Sequence, residues 1–194
     1  MKKKIAIISL SVLIFGLWLF CVINTNIRTE KPILKTYSMQ EPVPYESDYF
    51  RRSDNILDGY TITVLNAEIV PYEEYAKKHQ VTLPERGTDE LGNLLYRPEY
   101  VYDVEVQFSN TNNEEGAIDM FDTLRADADL WDQMYPQLSG SYSFRLRPNT
   151  SMNFHLPFVV ESVYSEKYNM ERVKKEKMSL VISQYPVKKS IQIN

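Results

Sequence analysis

The chain has 194 residues, 43% of them hydrophobic, and a formal net charge of −4. Without Lys2, Lys3 and Lys4, the chain has 22 − 3 = 19 basic residues and 26 acidic residues. The rest of the chain is therefore net acidic, which argues against nucleic acid as a partner. This length suits one domain of ordinary size, and the lone cysteine, Cys21, excludes an intramolecular disulfide.

The N-terminus carries an uncharged apolar run behind a basic tip. Residues 1–4 hold the three lysines, and residues 5–23 hold no charge and no proline. A helix of about 19 apolar residues nearly matches the hydrocarbon core of a bilayer, and flanking lysines favour a cytoplasmic N-terminus. The sequence therefore predicts a cytoplasmic tip (1–4) and a single-pass transmembrane anchor (5–23) in the cell membrane, with the C-terminal domain extracellular.

Two alternatives to a permanent anchor stay open. A cleaved signal peptide needs a shorter apolar core and a small-residue cleavage site, which residues 21–26 do not supply. Lipidation of Cys21 would need a small residue before it, where the chain has Phe20. An exported domain without disulfides favours a Gram-positive bacterium as the source.

Residues 24–55 are predicted to form an extracellular stalk, and residues 56–194 the folded domain. Pro32, Pro42 and Pro44 deny the stalk a helix. Its aromatic end, residues 44–50, is expected to pack against the domain.

Alternating apolar and polar residues dominate the folded domain. Tyr60 to Val70, with a bulge near Asn66, and Tyr102 to Phe108 are predicted strands. Tyr142 to Leu146 and Met152 to Phe158 are predicted to form a hairpin around a proline turn, and Ser179 to Ser183 a late strand.

A short helix is predicted between the first two strands. Pro71 suits its first position, acidic Glu73 and Glu74 its first turn, and Lys77 and Lys78 its last turn. Together with residues 80–98 it makes an excursion from the sheet. The predicted fold is thus all-β, an antiparallel immunoglobulin-like β-sandwich with one short helical excursion.

Several segments together resemble a known group of bacterial domains. They are the lysine-led anchor, the proline-bearing stalk, the strands Gly59 to Val64 and Tyr102 to Phe108, the stretch Phe144 to Ser151, and the ending Leu156-Pro157-Phe158. The chain resembles the membrane-anchored, immunoglobulin-like extracellular domains of unknown function of Gram-positive Firmicutes, and more loosely their telokin-like accessory domains. The resemblance implies a fold and a location, and it carries no catalytic residue.

No catalytic site or cofactor site is predicted. His79 and His155 are the only histidines, and both are expected to be solvated rather than catalytic. The chain lacks a Gly-x-Ser-x-Gly elbow, and its six glycines are too scattered to cradle a phosphate. The protein is therefore predicted not to be an enzyme and to need no cofactor.

Acidic residues crowd the segment from Asp119 to Asp132. Exported carboxylates can bind calcium, but the spacing fails the EF-hand template, which would need oxygen at Trp131 and glycine at Asp132. A solvated acidic loop without metal is the favoured interpretation.

Five tyrosines border the excursion and the irregular segment after residue 127, and they are the predicted ligand-facing residues: Tyr72, Tyr75, Tyr96, Tyr100 and Tyr135. Tyrosine-lined grooves bind peptides and glycans, although the same rings also fill cores. The sequence favours a non-enzymatic surface module that binds an unknown protein or an envelope glycan. The alternative is an accessory subunit of a membrane complex, which contacts its partners through the anchor helix.

Overall fold

In a computed structural model of the chain, the described residues are 2–28, 31–49, 56–81, 99–120, 124–127, 131–134, 143–160, 171 and 175–193. They divide into two compact units, Met1–Pro32 and Ile33–Asn194. The elements are α1 (Lys2–Arg28), β1 (Ile33–Ser38), β2 (Val43–Pro44), β3 (Tyr60–Pro71), α2 (Tyr72–Lys78), β4 (Tyr100–Asn110), β5 (Ile118–Asp119), β6 (Arg125–Asp127), β7 (Trp131–Met134), β8 (Ser143–Phe144), β9 (Thr150–Val160), β10 (Met178–Ser183) and β11 (Val187–Ile193).

Helix α1 makes up most of the first unit. It includes the apolar run of residues 5–23, and the large apolar side chains described along it, such as Phe15 and Trp18, are exposed. Among the described residues, no helix combines the length and the apolarity that crossing a membrane requires. The transmembrane anchor stays a prediction without support from this finding.

The second unit is a β-sandwich, as predicted. One sheet has the strand order β1-β11-β10-β6 and the other β2-β3-β4-β9-β7, and β5 pairs separately with β8. Apolar residues from both larger sheets meet in one buried core, including Val106 and Phe158 from one sheet and Leu180 and Ile191 from the other. Burial at every second position supplies the driving force for this packing.

The prediction of a stalk over residues 24–55 is wrong for the residues of that range that the structure describes. Helix α1 continues to Arg28, β1 pairs in parallel with β11, and β2 pairs with β3, so the sandwich begins at Ile33. Prolines exclude a helix there, but an edge strand tolerates a proline. Pro44 lies in the edge strand β2. The parallel β1–β11 pair also departs from the predicted antiparallel arrangement.

A buried lysine holds this N-terminal segment against the sandwich. Lys189 on β11 is fully buried, and its Nζ lies 2.7 Å from Glu46 Oε2 and 2.9 Å from Asp48 Oδ1. The same ammonium donates to the Pro44 carbonyl at 3.2 Å. Lys35 on β1 adds a second cation, 3.3 Å from Asp48 Oδ2.

The bulge predicted near Asn66 is confirmed. The β3–β4 register shifts between Val64 and Asn66, so that even-numbered residues face the core before the bulge and odd-numbered residues after it. Glu68 therefore lies on the outer face of the sheet, directly opposite Asp103. This change of face positions the candidate site.

The predicted hairpin is wrong. The turn is present at residues 148–149, with Asn149 at a φ of 59°, but β8 pairs with β5 and not with β9. Strand β9 pairs instead with β4 along its length and with β7 on its other side. The long alternating strand β4 matches β9 residue for residue, whereas β8 is only two residues long.

Candidate functional site

The predicted tyrosines do not form an exposed groove in the part of the chain that is described. Tyr72 and Tyr75 are buried, and Tyr100 is half-buried against the main core. Tyr96 and Tyr135 lie outside the described residues. For Tyr72 and Tyr75 the arrangement corresponds to core filling, the other interpretation of these rings.

Helix α2 is confirmed where a short helix was predicted. Pro71 precedes it, Glu73 and Glu74 lie in its first turn, and Lys77 and Lys78 lie in its last turn, as the helix dipole favours. Its buried side lies on the outer face of the five-stranded sheet, in a small second core made by Val70, Tyr72, Tyr75, Val101 and Val159.

Asp103 is a carboxylate buried at the edge of that second core, only 2% exposed. It lies on the outer face of β4, where α2 covers the sheet, opposite Glu68 on β3. Two neighbouring carboxylates on paired strands repel each other, and Lys78 relieves this by lying 2.6 Å from Glu68 Oε1 and 3.4 Å from Asp103 Oδ2.

Both histidines of the chain contact this carboxylate. His155 Nδ1 lies 2.8 Å from Asp103 Oδ1 and 3.1 Å from Oδ2, and His79 Nε2 lies 3.1 Å from Oδ2. Since a carboxylate accepts hydrogen bonds, each of these ring nitrogens donates to it. The two imidazole rings lie beside each other, with centroids 4.3 Å apart.

The elements around the site hold each ring in place. Asp103 is paired with Pro157 across β4 and β9, so His155 reaches it diagonally from two residues along β9. His79 follows the last residue of α2, and its ring packs at 4.3 Å against the buried ring of Tyr75. Gln80, at a φ of 55°, then turns the chain away from the helix.

Burial and charge oppose each other at His79. Burial lowers the pKa of His79 below its ordinary value, and the Asp103 carboxylate offsets this only in part. The hydrogen bond to Glu68 raises the pKa of Lys78, which keeps its ammonium charged beside the two carboxylates. At neutral pH His79 is therefore neutral, and Lys78 is charged beside Glu68 and Asp103.

The prediction that both histidines are solvated is wrong. His79 and His155 are 17% and 31% exposed, and both bind a buried aspartate. The sequence did place His155 on the polar face of its strand and His79 at the end of a short helix. The register of β4 against β9 and the packing of α2 bring the two histidines together, although they are more than 70 residues apart in the sequence.

The acidic segment gives a different picture. Asp119 lies in β5, and Asp127 in β6 forms an ion pair with Lys188. Asp122 and Asp129 lie outside the described residues. Within the described residues, the histidine, cysteine and carboxylate side chains close enough to share one ion are His79, Asp103 and His155, so the calcium hypothesis gains nothing.

Comparison with known proteins gives a family. A family model described as a domain of unknown function, DUF5028, matches residues 34–189. This chain belongs to the DUF5028 family. No curated protein matches the chain.

The DUF5028 match begins within β1, which agrees with a domain that starts before residue 56. It includes His79, Asp103 and His155, and it leaves out α1. One similar solved structure is an uncharacterized β-sandwich protein from Clostridium difficile 630, with 12% identity and a TM-score of 0.41, covering 86% of this chain and 99% of that one. A likeness of that extent carries no inference about function.

Proposed function

We propose that this DUF5028 chain is a non-enzymatic binding module of the cell surface. The observation that supports it is an ordered polar surface on the outer face of the five-stranded sheet, beside α2. Gln107 Nε2 donates to Asn153 Oδ1 at 3.0 Å, and Asn153 Nδ2 donates to Glu105 Oε1 at 3.2 Å. These amide and carboxylate groups are held in fixed positions and remain accessible, which suits recognition of a polar ligand.

The ligand in this proposal is a protein or an envelope glycan. Both classes present hydroxyl or amide groups that pair with a fixed row of donors and acceptors. The non-enzymatic character of the proposal rests on this row of amide and carboxylate groups and not on the histidines, since an aspartate that orients a histidine also occurs in catalytic triads.

The proposal also includes the location and the finer character of the fold. The uncharged run of residues 5–23 behind three lysines supports a single-pass anchor with the sandwich outside the cell. The immunoglobulin-like character of the sandwich and a Gram-positive envelope rest on the sequence resemblance.

Site-specific photocrosslinking in the native cell tests the proposal. A photoreactive residue at Ser151, which is exposed and lies two positions from Asn153 on the same face of β9, should give a discrete crosslinked product. The matched control is Thr36, which is exposed on β1 in the other sheet. Equal products from both positions, or none from Ser151, would contradict a binding surface on this face.

A second candidate is an accessory subunit of a membrane complex that contacts its partners through α1. The observation that favours it is the open flank at Gly16, where an added Cβ would meet nothing within 4 Å, beside exposed Leu17. Small residues let helices approach closely in membranes. Replacing residues 5–23 with an unrelated anchor separates the candidates: a surface module keeps its crosslinked partner, and a complex subunit loses it.

A further inference from the structure

We propose that His79, Asp103 and His155 form a binding site for a divalent transition-metal ion of the zinc class. This inference goes beyond the proposed binding function and does not depend on which ligand the surface takes. It rests on the geometry, the charge and the donor atoms of three side chains from three different elements.

The geometry is close to that of a metal site. One ligand atom from each of the three residues lies within 4.8 Å of the other two. Oδ2 of Asp103 is shared, because it lies 3.1 Å from His79 Nε2 and 3.1 Å from His155 Nδ1. Ligands bound at zinc–nitrogen distances of 2.0–2.1 Å in a tetrahedron are about 3.3 Å apart, so small ring movements would admit the ion.

The ring protons do not prevent this exchange. In the metal-free site each imidazole donates its N–H to the carboxylate. A neutral imidazole can move its proton to the other ring nitrogen, which leaves a lone pair on the nitrogen facing Asp103. The ion would then replace two N–H groups as the partner of one buried carboxylate.

Charge also favours a cation at this point. Asp103 and Glu68 face each other across two strands, and Lys78 is the cation that lies between them. With neutral imidazoles, these three charged groups leave one negative charge. A buried carboxylate requires compensation, and a divalent ion supplies more of it than two neutral rings.

The donor set selects the class of metal. Two imidazole nitrogens and one carboxylate oxygen suit zinc and its transition-metal neighbours, whereas calcium and magnesium prefer oxygen ligands alone. The partial exposure of His79 and His155 gives solvent access for water to complete the coordination.

Lys78 competes for the same oxygen. Its Nζ lies 3.4 Å from Asp103 Oδ2, the atom shared by both histidines, and 2.6 Å from Glu68. Metal binding would displace the ammonium from Asp103 and leave it with Glu68. Removing this ammonium should therefore strengthen metal binding, an effect that a merely structural cluster would not show.

The test is a titration of the full chain, without a histidine tag and in mild detergent, with Zn²⁺ alone. We expect saturable binding by calorimetry and a rise in Tm of about 5–10 °C at zinc 100-fold above Kd. Ca²⁺ should give no shift. Co²⁺ in place of zinc should produce the visible absorption of a nitrogen- and oxygen-ligated ion.

Three variants make the assignment specific. H79Q and H155Q should each weaken zinc binding more than about 100-fold, since each removes a direct ligand. K78M keeps all three ligands and should bind zinc about 10-fold more tightly, and it remains informative if a histidine variant does not fold. No saturable binding by the wild type, equal binding by the histidine variants, or K78M binding no tighter than the wild type would each overturn the proposal.

Discussion

Lys189 is a lysine with no exposed surface, and two carboxylates and a carbonyl surround its ammonium. K189M keeps most of the side-chain volume but removes the buried cation from between Glu46 and Asp48, while Lys35 stays close to both. We expect K189M to lower the free energy of unfolding by about 2–3 kcal/mol, because removal of one partner from a buried pair costs 3–5 kcal/mol and these carboxylates are partly exposed. Urea denaturation measures the change.

The neighbouring residue supplies the matched control. Lys188 forms an ion pair with Asp127, but both side chains are substantially exposed. K188M should therefore cost less than about 1 kcal/mol. If the two variants lose equal stability, the burial of Lys189 does not make its ion pairs more stabilising than the exposed pair of Lys188.

Gly116 lies where the chain has no room for a side chain. A Cβ there would lie 2.1 Å from the Ile56 carbonyl oxygen and 2.8 Å from Asn113 Oδ1. Asn113 is itself fixed, because its amide donates to Ile56 O and Asp58 O and its Oδ1 accepts from two backbone N–H groups. We expect G116A to lower the free energy of unfolding of the sandwich by about 1–3 kcal/mol. G16A, which meets nothing, should leave it unchanged in the same urea assay.

At the scale of elements, Asp48 links β1 and β11 to the segment after β2. Burial alone would raise the pKa of Asp48, but hydrogen bonds from Lys189 and Lys35 outweigh it and lower the pKa below the ordinary 3.8; Glu46 is the other charged group that faces it. A depressed folded-state pKa adds stability above the unfolded pKa, and that stability is lost as pH falls through the folded value. The free-energy difference between the wild type and D48N should hold from pH 7 to about 5 and shrink below about 4.

Urea denaturation of both proteins across that range measures the effect. The difference between them removes the contribution of the other carboxylates, which titrate in both. A difference that stays constant down to pH 3, or that grows as pH falls, would contradict the role given to Lys189 and Lys35.

Period-two patterning was enough to predict some strands of the sandwich. It placed β3, β4 and β10, and proline and charge placement gave the short helix α2, since each depends on neighbours within a few residues. It could not give strand partners. The assignment of β8 to β9 and of residues 33–44 to a stalk failed because strand pairing depends on residues outside the local pattern. Phe144 of β8 pairs with Ile118 of β5, and Ile33 of β1 pairs with Val187 of β11.

The candidate site was missed for the same physical reason. Asp103, His79 and His155 come from three elements, and only the register of β4 and the docking of α2 bring them together. The signal available in the sequence was indirect: an aspartate and a histidine at polar positions of two alternating strands. The burial of Asp103, which lies at an outward-facing position of β4, can be recognised only once α2 is known to cover that face.

At the scale of the whole molecule, the outer face of the five-stranded sheet changes character along its strands. It is apolar under α2, at Val101 and Val159, then carries the buried charge of Asp103. It ends in the open polar row of Glu105, Gln107 and Asn153. The proposed metal site thus lies between a hydrophobic core and the accessible polar row, so an ion there would fix the position of α2 relative to that row.

The division into two compact units, at Pro32 and Ile33, predicts that the sandwich folds without α1. A chain of residues 33–194 retains β1 with its β11 pairing and both cations around Asp48, so its Tm should match that of the full chain within about 2 °C.

The matched control removes residues 33–38 as well. That deletion takes away β1, Lys35 and the hydrogen bond from Ile33 N to Pro186 O, and it should lower Tm by more than about 5 °C. Thermal unfolding followed by circular dichroism compares the three chains; a large loss on removing residues 1–32 alone would mean that α1 belongs to the folded domain.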